Sequence, residues 1–313
     1  MKIFLTALFC LFASLPLSAE ESDDIFQTAF AGAIATDVNG RFQDFMWVRP
    51  TFPRVGMFAF CNLVLGHLYF LDKGYYRGLG VDLENTGVYY EAAKGPNWWT
   101  YYFKPLHINS EIDLGMDSRS SIPDKGTLGF ELNRVAAALR MHIPREEAHA
   151  LIKKYIQVQD YILEEAEKFK TANFQDFFII GIHYRGTDKS TEAPRTTYKQ
   201  VEQAVFEQIS LLSHDQFMIF IATDEQPFLN YMLSKFPDKV ICTEATRSTD
   251  FTSIHHHAPN HYEIGKQAIV DALLLSKCHL LIRTSSNLGL WATYFNPDLP
   301  VVLLNHRFGS LNE

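Results

Sequence analysis

The sequence lacks the motifs by which several large enzyme classes are recognised. It contains no Walker-type phosphate loop, no Gly-x-Ser-x-Gly nucleophile elbow and no His-Glu-x-x-His motif. The usual signatures of P-loop NTPases, serine hydrolases and zinc proteases are therefore missing. The chain also has no Asp-x-Asp pair of the kind that holds a metal–nucleotide complex, so the sequence does not support a metal requirement.

Cysteine and positive charge are also scarce. The four cysteines, Cys10, Cys61, Cys242 and Cys278, are far apart and form no Cys-x-x-Cys pattern. This spacing indicates neither a disulfide framework nor a zinc site. Asp and Glu outnumber Lys and Arg by 36 to 28, which gives a net charge of −8 and argues against a nucleic-acid partner. A local pocket can still carry the opposite sign and bind an anion.

The first 19 residues resemble an export signal. Lys2 is the only charge in this segment, Ile3–Leu17 is nearly all apolar, and Ala19 ends a plausible cleavage site of small residues. A short signal anchor or a buried helix are the alternatives, but the apolar run is short for a membrane span. We therefore expect cleavage, no stable membrane span afterwards, and export or residence in the secretory pathway.

The full chain has 313 residues, of which 47% are hydrophobic, and it is long enough for two domains after the signal segment. Strand and helix patterns alternate, which predicts an α/β fold with parallel sheets. A long helix that begins at Pro144 and ends near Asn173 is the predicted connector. We predict two doubly wound, Rossmann-like halves at residues 20–172 and 173–313, with a cleft between them.

A cluster of polar residues follows a strand-like run in the second half. The apolar run Phe177–Ile180 predicts a buried strand, and His183, Arg185, Asp188 and Lys189 come shortly after it. In open α/β sheets, ligands bind beyond the carboxyl ends of the strands. Arg185 offers a planar fork of donors suited to phosphate, and Lys189 adds a mobile charge. The alternative is a surface loop whose charges pair with one another.

Two further groups are candidates for ligand binding. Thr284–Asn287 follows a predicted strand and precedes a predicted helix, a position at which hydroxyls and backbone N–H groups bind anions. Plain N-capping would need only one of these residues. Asp271 lies inside an otherwise apolar helix and requires a partner. From the sequence alone, a polar contact in the core or a place on the solvent face explains Asp271 better than a nucleobase contact does.

The run His255–His257 suggests metal binding by its composition. Adjacent histidines do not readily converge on one ion, and no acidic or cysteine partner has the usual spacing. We therefore interpret this run as a solvated loop and predict no metal site.

The stretch His183–Lys189 resembles the first donor-binding motif of the α-1,6-fucosyltransferase and protein O-fucosyltransferase superfamily. Members of that superfamily have a His-x-Arg core, which the α-1,6 branch extends to Thr-Asp-Lys. The segment Asp271–Asn287 is similar to a later family segment, in which an Asp on a helix and a Leu-Ser pair precede a strand and a Thr/Ser-rich turn. The resemblance covers about residues 176–305.

The resemblance implies a GT-B fold, with GDP-fucose in the cleft and inversion at the sugar carbon without a metal or other cofactor. It implies that Arg185 contacts the β-phosphate and offsets the charge on the departing GDP. It also implies that His183 helps to hold the diphosphate and that Asp271 faces guanine and ribose. The donor-binding residues expected on this basis are His183, Arg185, Asp188, Lys189, Asp271, Thr284, Ser285, Ser286 and Asn287.

The resemblance also suggests a base and shows departures from the family. In the α-1,6 branch, a Glu just past the motif is the proposed base that activates the acceptor hydroxyl. Glu192 is similarly placed, although it lies one residue closer, so the expected catalytic residues are Arg185 and Glu192. Gly186 stands where that branch commonly has a second Arg, and the loop near Gly56 differs from the usual form. The acceptor is therefore not assigned beyond a glycan or protein hydroxyl.

Together these observations predict an exported fucosyltransferase. One alternative is a transferase that uses another nucleotide sugar. A second is a secreted, non-catalytic protein that binds a sugar or a partner on the same fold. Replacement of Arg185 by Ala separates an enzyme from a binding protein, because only an enzyme has transfer activity to lose.

Overall fold

The computed structural model describes residues 45–49, 55–84, 87–109, 133, 136–137, 143–187, 193–213, 216–254 and 260–306. The predicted signal segment, the run His255–His257 and three predicted site residues, Asp188, Lys189 and Glu192, lie outside these residues. The chain divides into two compact units after Gln157.

In the first unit, one apolar helix connects two strands of a small sheet. Strands β1 (Phe45–Val48) and β2 (Gly78–Val81) are parallel, and β3 (His107–Ile108) pairs with β2 in the antiparallel direction. Helix α1 (Met57–Asp72) is buried over most of its length, as its nearly continuous apolar sequence requires. The chain therefore passes from β1 through α1 to the parallel strand β2 before it turns back into β3.

The aromatic stretch that follows β2 belongs to the core of this unit. Trp98 and Trp99 have no exposed surface, and Trp99 stacks on Phe103 with ring centroids 4.2 Å apart. Asn97 fixes the short helical turn at Trp98–Tyr101 because its side chain accepts a hydrogen bond from the Trp99 backbone. These rings therefore fill the interior of the first unit.

The prediction of a single long helix from Pro144 to Asn173 is wrong. The structure has two helices, α2 (Arg145–Tyr155) and α3 (Asp160–Asn173), separated by extended residues. Ile156 is extended and buried, and the Gln157 carbonyl accepts a hydrogen bond from Lys104 N at 2.7 Å. The division into units falls in this break, so α3 belongs to the second unit. The boundary predicted from the sequence lies after residue 172.

The second unit is a five-stranded parallel sheet with helices on both faces. Its strands are β4 (Phe178–Tyr184), β5 (Phe217–Thr223), β6 (Val240–Ile241), β7 (Leu280–Arg283) and β8 (Val301–Leu303). Its other helices are α4 (Tyr198–Ile209), α5 (Gln226–Lys235), α6 (His261–Ser276) and α7 (Asn287–Phe295). The order across the sheet is β6-β5-β4-β7-β8.

Side chains along β4 point alternately to the two faces of the sheet. Ile180, Ile182 and Tyr184 pack in the core beneath α4 and α5. Gly181 and His183 point to the other face, where Gly181 lies against Cys278 and Leu275. Helix α4 begins with a capping box, in which Thr197 and Gln200 bond reciprocally.

The parallel strands and covering helices confirm the predicted α/β class. None of the helices among the described residues combines the length and apolarity needed to cross a membrane. The described cysteines, Cys61, Cys242 and Cys278, are free thiols.

Candidate active site

The strand order of the second unit reverses between β4 and β7. From β4 the chain moves outward through β5 and β6, and it then returns to form β7 and β8 on the opposite side. Ligands of open α/β sheets bind outside the carboxyl ends of the strands at such a switch point. His183 and Arg185 lie at the end of β4, and Thr284 directly follows β7. His183, Arg185 and Thr284 therefore lie at the carboxyl edge of the sheet, beside the switch point.

Arg185 is held in place by both neighbouring strands. Its backbone N–H donates to Thr284 Oγ1 at 2.9 Å, and its Nε lies 3.0 Å from Asp224 Oδ2. The side chain is 23% exposed, so its guanidinium is reachable from solvent although it is anchored to the protein. A guanidinium fixed in this way suits an anion better than one on a mobile loop, because less side-chain entropy is lost on binding.

Asp224 holds the start of the motif loop, the segment that follows β4 from Arg185. It follows β5 and accepts hydrogen bonds from Gly186 N at 3.2 Å and Thr187 Oγ1 at 2.6 Å, besides its ion pair with Arg185. One carboxylate therefore fixes three consecutive residues of the loop. Its side chain is only 9% exposed, which makes it less screened by solvent than a surface acid.

His183 is a neutral imidazole in the interior of this edge. Burial, with smaller contributions from the positive charges of Arg185 and Arg283, lowers its pKa to about 3. Its Nδ1 is buried and makes no hydrogen bond within the part of the chain that the structure describes. The ring therefore adds no positive charge at neutral pH, and its polar contribution is limited to hydrogen bonding.

Arg283 supplies a second positive charge at this edge. It is the register partner of His183 on β7, and it is 1% exposed. Helix α7 passes close to both residues at Gly289, where a Cβ would lie 3.1 Å from His183 Nδ1 and from Arg283 Cδ. The absence of a side chain at position 289 thus lets the helix N-terminus approach the strand ends.

Thr284 directly follows β7, and the turn Thr284–Ser286 leads into α7. Thr284 Oγ1 accepts from Arg185 N, Ser285 N donates to Asn305 Oδ1 at 2.7 Å, and Ser286 Oγ caps α7 by accepting from Leu288 N. Ser286 therefore provides the N-cap of α7, which is the role that the N-capping alternative assigned to one of these residues. Thr284 has the further effect of joining the turn to Arg185, and Asn287 is the first residue of α7.

Asp271 belongs to a separate cluster of contacts. It is 6% exposed on α6 and accepts a hydrogen bond from Thr243 Oγ1 at 2.8 Å. Burial raises its pKa to about 6, although Thr243 and the charge of Arg247 act in the opposite direction. The alternative that Asp271 lies on the solvent face is therefore wrong. Its hydrogen bond with Thr243 is a polar contact in the core.

Two acidic residues at the end of β5, Asp224 and Glu225, were not identified as site residues from the sequence. Glu225 has no exposed side-chain surface, and its oxygens accept from Arg195 Nη2 at 3.0 and 3.3 Å and from Tyr198 OH at 2.7 Å. Arg195 Nη1 also donates to the Gly186 carbonyl at 3.4 Å. Burial raises the pKa of Glu225, and its two partners oppose that change.

A signal for these missed residues was present in the sequence. Asp224 and Glu225 directly follow a long apolar strand, which is the pattern that identified Arg185 after β4. Adjacent strands of a parallel sheet end at the same edge, so the two strand ends could have been read together. Within the described residues, no three His, Cys, Asp or Glu side chains are grouped so that they could hold a metal ion.

The chain matches a known family over much of its length. The family described as Nodulation protein Z (NodZ) matches residues 133–305, which is more than half of the chain. No curated protein matches the chain in sequence.

Solved structures of NodZ proteins share the fold. The NodZ α-1,6-fucosyltransferase soaked with GDP-fucose is 18% identical, with a TM-score of 0.55 over 82% of this chain and 93% of that one. The selenomethionine form of fucosyltransferase NodZ from Bradyrhizobium is 20% identical, with a TM-score of 0.53 over 80% of this chain and 91% of that one. NodZ α-1,6-fucosyltransferase co-crystallised with GDP is 18% identical, with a TM-score of 0.51 over 80% and 91% of the respective chains.

The fold and the family match together define the class of protein. The chain is a glycosyltransferase of the fucosyltransferase superfamily with a GT-B-type fold, as the sequence motif suggested. More particularly, it belongs to the NodZ family.

Proposed function

We propose that this protein transfers fucose from GDP-fucose to a hydroxyl group of a glycan or protein, by a single inverting displacement that needs no metal. The observation that carries the proposal is the fixed Arg185 guanidinium at the switch point of the parallel sheet. The family match and the NodZ structures obtained with GDP and GDP-fucose support the choice of donor.

Arg185 has the chemistry required by a departing nucleoside diphosphate. As the bond between the sugar carbon and the phosphate oxygen breaks, negative charge grows on the β-phosphate. A guanidinium that is already oriented stabilises this charge without reorganisation at the moment of reaction. Arg283 adds a buried positive charge next to His183, and the N-terminus of α7 adds the favourable end of a helix dipole. These groups can supply the electrostatic stabilisation that a metal ion supplies in other transferases.

His183 takes part in this scheme only as a hydrogen-bonding group. With a pKa of about 3, the imidazole stays neutral across the physiological range and does not protonate the leaving phosphate. Thr284 orients Arg185 through its backbone, while Ser285 and Ser286 complete the turn before α7. We propose that Asp271 contacts the nucleoside of the donor, with Asp188, Lys189 and Asn287 as further donor-binding residues.

The acceptor hydroxyl requires a base in an inverting displacement. The base takes the hydroxyl proton as the acceptor oxygen bonds to the sugar carbon and the phosphate oxygen leaves from the opposite side. We propose Glu192 for this role because of its place after the motif. Inversion of GDP-β-L-fucose by this route gives an α-linked product.

We also propose that the enzyme is exported. The proposal rests on the apolar segment before Ala19 and its single charge at Lys2. GDP-sugars are made in the cytoplasm, so a secreted transferase requires either donor import into a secretory lumen or delivery into another cell. N-terminal sequencing of the protein from a secreting host tests the proposal, which predicts a mature chain that begins at Glu20.

A thermal-shift panel tests the donor directly. We expect GDP and GDP-fucose at about a hundred times their Kd to raise the melting temperature by about 5 to 10 °C, with no shift from UDP-sugars. A shift with UDP-sugars alone would support a transferase with another donor. Transfer is expected to continue in EDTA, and NMR of the product is expected to show the α-anomer. Guanine-nucleotide binding without transfer to any tested acceptor would favour the non-catalytic protein.

A further inference from the structure

The loop residue next to Arg185 is held from two sides. The Gly186 N–H donates to Asp224 Oδ1 at 3.2 Å, and the Gly186 carbonyl accepts from Arg195 Nη1 at 3.4 Å. Asp224 holds Arg185 directly, whereas Arg195 reaches only the backbone that follows it. The peptide units on both sides of Gly186 are therefore fixed by side chains from other parts of the chain.

Arg195 is itself anchored by a buried carboxylate. Its Nη2 bonds to both oxygens of Glu225, which is fully buried, and Glu225 in turn accepts from Tyr198 OH at 2.7 Å. Glu225 is fixed in the backbone as well, because its N–H donates to Thr223 Oγ1 and it forms a parallel bridge with Ser248. The guanidinium therefore has a rigid base on one side and the Gly186 carbonyl on the other.

The glycine at position 186 is required by this arrangement. A Cβ at this position would collide with Glu225 Oε1, and it would lie 2.7 Å from the Tyr184 ring. The loop backbone can thus lie directly against the buried carboxylate only if residue 186 has no side chain. The geometry joins Glu225, Arg195 and the backbone after Arg185 into one unit.

We propose that Arg195 is a positioning residue of the transfer reaction. Anchored on Glu225, it fixes the Gly186 peptide and thereby the direction in which Arg185 presents its guanidinium to the leaving diphosphate. This inference rests on the function proposed above for Arg185. It adds a residue that lies outside the motif and is brought to the motif by the fold.

A purely structural role for Arg195 is the competing explanation. Loss of Arg195 leaves Glu225 buried without its charge partner, which by itself destabilises a protein. The double variant Arg195→Met/Glu225→Gln separates the two explanations, because it removes both charges and leaves a neutral side chain to accept from Tyr198. If Arg195 acts only by stabilising the fold, the second change restores both stability and activity. If Arg195 positions the loop, activity stays low, because the donor to the Gly186 carbonyl is still missing.

The test compares Arg195→Met with the double variant and with a control, Lys235→Met. Lys235 has the same 42% side-chain exposure as Arg195 and pairs with Glu202 on the outer surface of α4 and α5, away from the strand ends. We expect Arg195→Met to lower the melting temperature and the double variant to restore it. Both variants are expected to lower kcat with GDP-fucose by about ten- to a hundredfold, since small misplacements of catalytic groups have effects of this size. The control is expected to retain kcat.

Amide hydrogen exchange gives a readout that does not depend on the reaction. We expect faster exchange at Gly186 and Thr187 in both Arg195 variants, with unchanged exchange along β5. Recovery of kcat in the double variant, or unchanged exchange at Gly186, would overturn the positioning role. If the wild-type protein transfers no sugar, the proposed function fails, and the exchange measurement alone then decides whether Arg195 holds the loop.

Discussion

Arg185 and Asp224 form an ion pair between the ends of neighbouring parallel strands, with Nε and Oδ2 3.0 Å apart. Arg185 follows β4 and Asp224 follows β5, so the pair links the motif loop to the strand beside it. The same carboxylate accepts from Gly186 N and Thr187 Oγ1. A single acid at a strand end thus holds residues 185–187, which directly follow β4.

Replacement of Asp224 tests this relationship. Asp224→Asn keeps the size of the side chain but removes the charge that pairs with Arg185. We expect the affinity for GDP to fall about tenfold, since an arginine that must be ordered on binding loses part of its advantage. Isothermal titration calorimetry measures the affinity, with the exposed Asp298→Asn variant as the control. Equal GDP affinity in the two variants would show that Asp224 does not position Arg185.

Thr284 provides the second anchor of Arg185. Thr284→Val keeps the shape of the side chain but leaves the Arg185 N–H without its acceptor. We expect a loss of about 1 to 3 kcal/mol in the free energy of unfolding, measured in urea, together with weaker GDP binding. Thr293→Val is a matched control, because Thr293 is buried and donates to the Leu290 carbonyl within α7. The control is expected to keep its affinity for GDP, and a parallel loss of affinity in both would contradict the anchoring role.

The buried Asp271 predicts a pH dependence of stability. Its pKa is about 6 in the folded protein and about 3.9 in an unfolded chain, so the folded state binds an extra proton between these values. Its contribution to stability is therefore present below about pH 4 and is lost as the pH rises through about 6.

Asp271→Asn removes this loss. We expect the variant to gain about 1 to 3 kcal/mol of unfolding free energy relative to wild type at pH 7, and much less at pH 4.5. Urea denaturation at the two pH values measures the difference, and the same variant is expected to bind GDP more weakly if Asp271 contacts the nucleoside. An equal change in stability at both pH values would mean that burial of the charge is not the dominant cause.

The parallel sheet of the second unit was predictable because its local signals agree. The apolar run before His183 forms most of β4, as expected from the sequence. The capping box at Thr197 is likewise a local sequence signal for the start of α4. The prediction of one continuous helix from Pro144 to Asn173 failed for a physical reason. The residues around Ile156 are compatible with both helix and strand, and no Gly or Pro marks an end there. The hydrogen bond from Lys104 N to the Gln157 carbonyl is a tertiary contact, which periodicity does not contain.

The site was partly predictable for a similar reason. Arg185 and Thr284 were identified because polar residues directly after apolar strands lie at the edge of a sheet. Their mutual hydrogen bond required the strand order, which places β4 beside β7. The partner of Glu225 was not predictable, because Arg195 lies 30 positions away in the sequence and their contact is a tertiary one.

The most direct test of the account is the rate of fucose transfer from GDP-fucose by wild-type enzyme and Arg185→Ala, measured in EDTA under single-turnover conditions. We expect transfer by the wild type and a loss of at least about a hundredfold in the variant, because the variant lacks the group that stabilises the leaving diphosphate. Transfer by the variant at the wild-type rate, or a wild-type activity that appears only when a divalent metal is added, would contradict it.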